Sequence, residues 1–272
     1  MSPLWRDEVA IYLAPRKLAL VRRTRGLRRR VVAATELSVL GGAAGDFGPV
    51  LARLSDLLAE PTWRGATARA MVADHPWARY AVVPWAATRL DAAGRLAHAR
   101  CVLGDAYGAA VADWAVALSD TPPGRPCVAC AIPTTLRSAL EDALAPARIA
   151  LVSLQPRLIV AFEHWRRQLP ADDAWFVSID EGSLSAVHLC DGAWDRVHVA
   201  RLSPDWGVEL ERLRAFGRLM GAASARGRIF VSAPAHLRRD AAAPAAGIEW
   251  LEEDDGESAR PHELALLERM HA

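Results

Sequence analysis

One stretch constrains the fold of this chain more than any other: Trp175–Leu202, WFVSIDEGSLSAVHLCDGAWDRVHVARL. Trp175–Ile179 is an almost wholly apolar run, the pattern of a strand covered on both faces. The chain then turns at Asp180-Glu181-Gly182-Ser183 and continues as a strand over Leu184–Leu189. A tight turn at Asp191-Gly192 returns it antiparallel over Val197–Leu202. A strand that ends in Asp-x-Gly-Ser and runs straight into a hairpin has the parts of a phosphate cradle. The glycine lets the backbone approach, the aspartate reaches a hydrated metal, and the hydroxyl supplies a donor. The same four residues also make a plain β-turn from common turn residues, so the rest of the chain has to choose between these readings.

The first half repeats the same order of elements. Glu8–Ala14, Leu18–Arg23 and Arg30–Val39 form a second three-strand meander, followed by a helix with Asp46 at its cap and Val50, Leu51, Leu54, Leu57 and Leu58 as its apolar stripe. Thr67–Ala73 and His75–Trp85 are strands, Leu90–Tyr107 is an amphipathic helix stopped by Gly108, and Trp114–Leu118 is a strand. Cys127–Ile132 is expected as a buried strand of the main sheet, then a helix over Thr134–Leu144 capped at Thr134 or Thr135, and a short strand, Ala150–Leu154. Pro156 breaks the chain, and Leu158–Leu169 is a helix. After the Trp175 meander come a helix over Gly207–Met220, strands at Arg228–Ser232 and Gly247–Leu251, and a closing helix, Pro261–His271. Two βββαβα halves joined by a helix are a structural duplication and do not fit the strict alternation of a Rossmann sheet. The expected architecture is α/β (α+β), actin-like and therefore ribonuclease H-like. Its domains would be 1–155 and 156–272, each with a five-stranded mixed sheet, and the first would carry an inserted subdomain at about 75–118.

Composition narrows the function. The chain has 272 residues, 52% of them apolar and 24% charged, with ample core for two domains. No long uncharged apolar run appears, and the first residues lack the pattern of a signal peptide, so the expected location is the cytoplasm. Lys17 is the single lysine among 33 basic residues. Arginines cluster at Arg22, Arg23, Arg25, Arg28, Arg29 and Arg30, and acids at Glu249, Glu252, Glu253, Asp254, Asp255 and Glu257. With a net charge of +1 the basic run is a local patch, and no nucleic-acid partner is expected. Cys127 and Cys130 would point to opposite faces of one strand, which argues against a redox pair or metal site. Gly-x-Ser-x-Gly, P-loop and His-Glu-x-x-His motifs are absent, and Ser183 with His188 or His198 lacks the setting of a triad.

The ordered pattern resembles the PilM proteins of type IV pilus assembly and the related cytoplasmic domain of the type II secretion protein GspL. The resemblance rests on the duplication, on the inserted block His75–Leu118, and on PCVACAIPTTLRSALEDALAPARIALVSLQPRLIVAFEHWRRQL as a run of strand, helix, strand and linker helix. In nucleotide-binding actin-like proteins the first hairpin carries Asp-x-Gly and a hydroxyl. Here Tyr12 takes the aspartate position and Ala14 the glycine position, and Pro15 removes an amide. The adenosine turn after a late buried strand reads Ser232-Ala233-Pro234, without glycine. Asp180, Gly182 and Ser183 are then a relic of a phosphate hairpin, with no catalytic residue, cofactor or metal expected.

The resemblance implies a non-enzymatic cytoplasmic scaffold, recruited to the inner membrane through its partners. Those partners would be a short cytoplasmic segment of an inner-membrane assembly protein and an assembly ATPase. A pilus and a secretion role both fit. Trp77, Tyr80 and Trp85 of the inserted block, with Arg22 and Arg23 of the basic patch, are the candidate partner contacts. The rival reading is a working actin-like ATPase or sugar kinase that uses Asp180, Gly182 and Ser183.

Overall fold

A computed structural model describes residues 7–24, 30–43, 45–170, 173–219, 228–240, 248–251 and 262–270. Its first sheet has the strand order β3-β2-β1-β4-β8, from β1 (Glu8–Ala14), β2 (Lys17–Arg23), β3 (Val31–Ser38), β4 (Thr67–Val72) and β8 (Ala150–Pro156). The meander β1–β3 is antiparallel, while β4 runs parallel to both β1 and β8. All of β1 except Glu8 is buried, which is why its sequence reads as a continuous apolar run. Helix α1 (Gly48–Leu58) buries Val50, Leu51, Leu54 and Leu58, and Asp46 Oδ1 accepts from the Gly48 amide at 2.8 Å as the helix begins. Helix α3 (Thr134–Leu144) follows Pro133 and starts without the expected threonine cap.

The second sheet repeats the order as β11-β10-β9-β12-β13. Its strands are β9 (Ala174–Ile179), β10 (Ser183–Cys190), β11 (Ala193–Arg201), β12 (Arg228–Ser232) and β13 (Ile248–Trp250). Asp191 and Gly192, both at positive φ (50° and 72°), make the two-residue β10–β11 turn that the Asp-Gly pair calls for. Helix α5 (Trp206–Leu219) packs Trp206, Leu210 and Leu213 against Trp175, Val177, Ile229 and Val231 of the sheet. A short helix, α6 (Ala235–Asp240), follows β12 and was not legible in the sequence. With it, and with α4 (Arg157–Trp165) and α7 (His262–Arg269), each half reads βββαβαβα. The side chains of Phe216 and Leu219 lie outside the described set. Most of the acidic cluster, and Arg25, Arg28 and Arg29, also lie outside the described residues.

A third, three-stranded sheet has the order β5-β7-β6, from β5 (Arg79–Val83), β6 (Trp114–Leu118) and β7 (Cys127–Pro133). It is covered by α2 (Ala92–Tyr107), whose Ala99 and Leu103 pack on Ala81, Val83, Ala129 and Ala131. Strand Cys127–Pro133 therefore belongs to the insert, pairing antiparallel with β5 from Arg79↔Ala131 to Val83↔Cys127, and is not a strand of the main sheet. Apolar periodicity marks a strand as buried but cannot say which sheet buries it.

Two compact units result. One comprises the described residues of Met1–Trp77, Pro133–Val160 and Glu257–Ala272; the other, those of Ala78–Ile132 and Ala161–Gly256. Pro156, where the chain was expected to break between the domains, is the last residue of β8 and pairs with Val72 of β4. Helix α7, which closes the chain, packs on β1 and β2 of the first sheet, and the insert clusters with the second. Among the described residues no helix is long and apolar enough to cross a membrane.

Candidate functional site

The second hairpin holds the residues with the strongest functional signal, and its geometry turns them inward. Asp180 Oδ1 accepts from the amides of Gly182 (2.7 Å) and Ser183 (2.5 Å), and Oδ2 accepts from Ser183 Oγ at 3.1 Å. Backbone bonds close the turn from Asp180 N to Ser183 O and from Leu202 N to Gly182 O, each 3.0 Å. Asp180 and Ser183 are buried. The amides that would cradle a phosphate are thus taken by the chain's own carboxylate, in an Asx-type turn. Gly182 has no positive φ, and a Cβ added there would meet Asp180 Oδ1 at an ordinary 3.6 Å. Gly182→Ala is therefore expected to change stability by no more than about 0.5 kcal/mol, measured by urea denaturation; a larger loss would show that the turn needs glycine.

The first hairpin offers less still. Its strand-end pair is Ala14↔Lys17, enclosing the two-residue loop Pro15-Arg16. In the second hairpin the pair Leu184↔Ile179 extends by one step to Asp180 and Ser183, enclosing Glu181-Gly182. Loop register makes Ala14 the counterpart of Asp180 and Arg16 that of Gly182. The expected equivalences of Tyr12 to the aspartate and Ala14 to the glycine are displaced by two residues. Tyr12 lies within β1, opposite Ala19 of β2 and Met71 of β4, 1% exposed, and belongs to the core. At the third element, Ser232 Oγ accepts from the buried Trp165 indole N–H at 3.0 Å, and α6 begins directly after Pro234.

The expected partner contacts separate. Trp77 is 1% exposed, with its indole N–H on the Gly45 carbonyl at 3.3 Å. Arg23 is buried, pairs with Glu8 at 2.7 Å, and donates to the carbonyls of Glu268 and Met270. Both side chains are committed to the interior. Arg22 pairs with Asp7 at 2.7 Å and donates to the Thr62 and Arg64 carbonyls. Tyr80 is buried, and its carbonyl accepts from Tyr107 Oη at 2.9 Å. Trp85, 48% exposed, is the one of the five open to solvent as a large apolar surface.

Sequence reasoning missed a groove of about 790 Å³ in the second unit. Its walls are β5 and α2 of the insert on one side and β11 and α5 on the other, each of β5 and β11 an edge strand of its sheet. Tyr107 supplies exposed aromatic surface over the buried Tyr80 and Trp175, and Arg196, His198, Glu209 and Arg212 supply polar groups. His198 Nε2 lies 3.2 Å from Glu209 Oε1, and Arg212 Nη1 3.2 Å from Glu209 Oε2. These residues come from five elements, β5, α2, β9, β11 and α5, and form no motif, so no sequence signal joins them. Beside the groove, buried His188 packs against Trp175 with the rings tilted at 42°, and sets its two ring nitrogens 3.0 Å from Asp173 and Asp195.

At Asp195 burial works to raise the carboxyl, but hydrogen bonds from His188 and Arg196 outweigh it and hold the pKa below the ordinary value. A depressed carboxylate contributes stability that is present above its unfolded pKa and lost as pH falls through the folded one. Asp195→Asn should therefore flatten the acid limb of the stability curve below about pH 4, read as urea midpoints between pH 7 and pH 3. An unchanged limb would exclude the pairing.

No protein-family model and no curated protein matches the sequence. Solved structures do. A PilM–PilN type IV pilus biogenesis complex aligns at a TM-score of 0.59 and 14% identity, over 83% of this chain and 81% of the other. A Bacteroides thetaiotaomicron protein of actin-like ATPase fold and unknown function aligns at 0.59 and 8%, over 98% and 97%. The fold is actin-like. The cytoplasmic domain of EpsL, an inner-membrane component of the Vibrio cholerae type II secretion system, shares it at a TM-score of 0.53 and 10% identity, over 97% and 93%. The actin-like duplication with an insert, expected from the element order, is thus present in this chain, with each half one strand and one helix longer than the expected βββαβα.

Proposed function

We propose that this chain is a non-enzymatic scaffold of a type IV pilus or type II secretion inner-membrane platform, binding a short cytoplasmic segment of a membrane protein. One observation carries the non-enzymatic part: the Gly182 and Ser183 amides already donate to the Asp180 carboxylate, so the backbone donors that would cradle a phosphate are engaged by the turn itself. The first hairpin adds Ala14, Pro15 and Arg16, with no carboxylate in its loop. Likeness in fold to a PilM that assembles with PilN, and to the EpsL domain, supports the scaffold part. The groove between two sheet edges suits an extended peptide, because edge strands offer backbone donors and acceptors while aromatic walls take side chains. Titrating a synthetic peptide of the cytoplasmic segment against wild type and Arg212→Glu tests this. Weakening of about tenfold is expected, and equal affinity would move the contact elsewhere.

A working ATPase or sugar kinase is favoured by one feature, the surviving Asp180-Glu181-Gly182-Ser183 sequence. Calorimetry with millimolar Mg-ATP decides. The expected result is no saturable heat. A dissociation constant below about 0.1 mM, abolished in an Asp180→Asn variant of native circular dichroism, would overturn the scaffold reading.

A further inference from the structure

Within the insert lies a second cavity, of about 380 Å³, separate from the groove. Trp85, Leu90, Leu96 and Leu118 give it apolar walls from the β5–α2 connection, from α2 and from the end of β6. Three arginines, Arg89, Arg95 and Arg125, and one carboxylate, Asp120, share the lining. Arg125 donates to the Asp191 carbonyl at 2.6 Å, whereas Arg89 and Arg95 make no ion pair among the described residues. His98, one turn along α2 from Arg95, also lines the cavity. Its Nε2 is buried from solvent and meets no hydrogen-bond partner among the described residues. A buried polar atom without a partner is uncommon, and one beside two arginines that make no ion pair among the described residues calls for an acceptor that those residues do not supply.

We propose that this cavity binds an anionic amphiphile, an apolar chain or ring ending in a carboxylate or phosphate. The anionic group would sit on Arg95, Arg89 and His98, with its body against Trp85 and the leucines. The physical grounds are the match of arginine forks to both anions and the excess of cation over acid in the lining. The volume is at the small end of the ~300–1,000 Å³ that ligand pockets span, which suits a short chain or ring system and not a folded partner. The site stands whether or not the scaffold reading holds, because it shares no residue with the groove or with either hairpin.

Cys127, half-buried in the same lining, supplies a local reporter. Burial pushes its thiol up, against a smaller opposing effect of Arg95, so its alkylation is slow and measurable. Decanoate, decyl phosphate and decanol are titrated by calorimetry. Iodoacetamide labelling of Cys127 is followed by peptide mass spectrometry in the same samples, with exposed Cys101 as the internal control. Either anion or both should bind and slow labelling of Cys127, but not of Cys101, by roughly tenfold at ten times the dissociation constant. Decanol should do neither. Whichever anion binds identifies the head group. Arg95→Gln and Arg89→Gln, both at exposed positions, should each weaken binding about tenfold or more, with protection compared within each variant because Arg95 also affects the thiol. Equal binding of decanol, protection unchanged in both variants, or no binding of either anion at 1 mM, which is a dissociation energy of about 4 kcal/mol, would overturn the assignment.

Discussion

A Glu263→Ala variant is expected to unfold at a free energy about 3–5 kcal/mol below wild type. Glu263 opens α7 and is 2% exposed, 3.4 Å from Lys17 Nζ and 3.8 Å from Arg157 Nη2. Arg157 is fully buried, and Lys17 also pairs with Glu36 at 3.0 Å. Removing the carboxylate leaves a buried guanidinium with less compensation, and desolvated charge costs far more than a surface pair contributes. The same substitution loosens the seat of α7, whose Leu264, Leu266, Leu267 and Met270 are buried. Urea denaturation of the variant is the measurement. The double variant Glu263→Leu with Arg157→Met should recover much of the loss, since a buried pair replaced by apolar groups is often close to neutral. A loss under about 1 kcal/mol for Glu263→Ala would mean that α7 is not docked on the first sheet through this cluster.

Trp165→Ala is expected to cost about 3–5 kcal/mol, as large aromatic truncations in a core do. The side chain is 1% exposed, and its N–H is spent on Ser232 Oγ at the end of β12. Ser232→Ala should cost less, about 1–3 kcal/mol, because it leaves a buried indole N–H without its acceptor but opens little space. The double variant should cost less than the sum of the two, the signature of a direct contact. Strict additivity would show that the bond contributes nothing. The bond also fixes the end of β12, whose last residue is Ser232, against α4.

How far the sequence alone reaches follows from what kind of signal each feature leaves. Both meanders, the strand Trp175–Ile179 and the Asp191-Gly192 turn were legible because alternation, apolar runs and positive-φ residues are local properties. The duplication was legible because element order survives when sequence similarity does not. Three things were not. Cys127–Pro133 reads identically whether its partner is β4 or β5, and pairing is a nonlocal choice. The inward turn of Asp180 depends on two amide distances that four residue letters do not encode, since Asp-Glu-Gly-Ser is compatible with both an open cradle and a self-capped turn. The groove and the arginine-lined cavity assemble from β5, α2, β6, β7, β9, β11 and α5, elements whose side chains meet only after the sheets have packed. Local pattern alone specified most of the secondary structure, short α6 excepted, and its twofold repetition. Only the packed chain settles which turn amides are occupied, which of the described arginines make no ion pair with another described residue and which aromatic residues stay exposed, because each depends on how nonlocal packing divides polar groups between the protein's own partners and solvent.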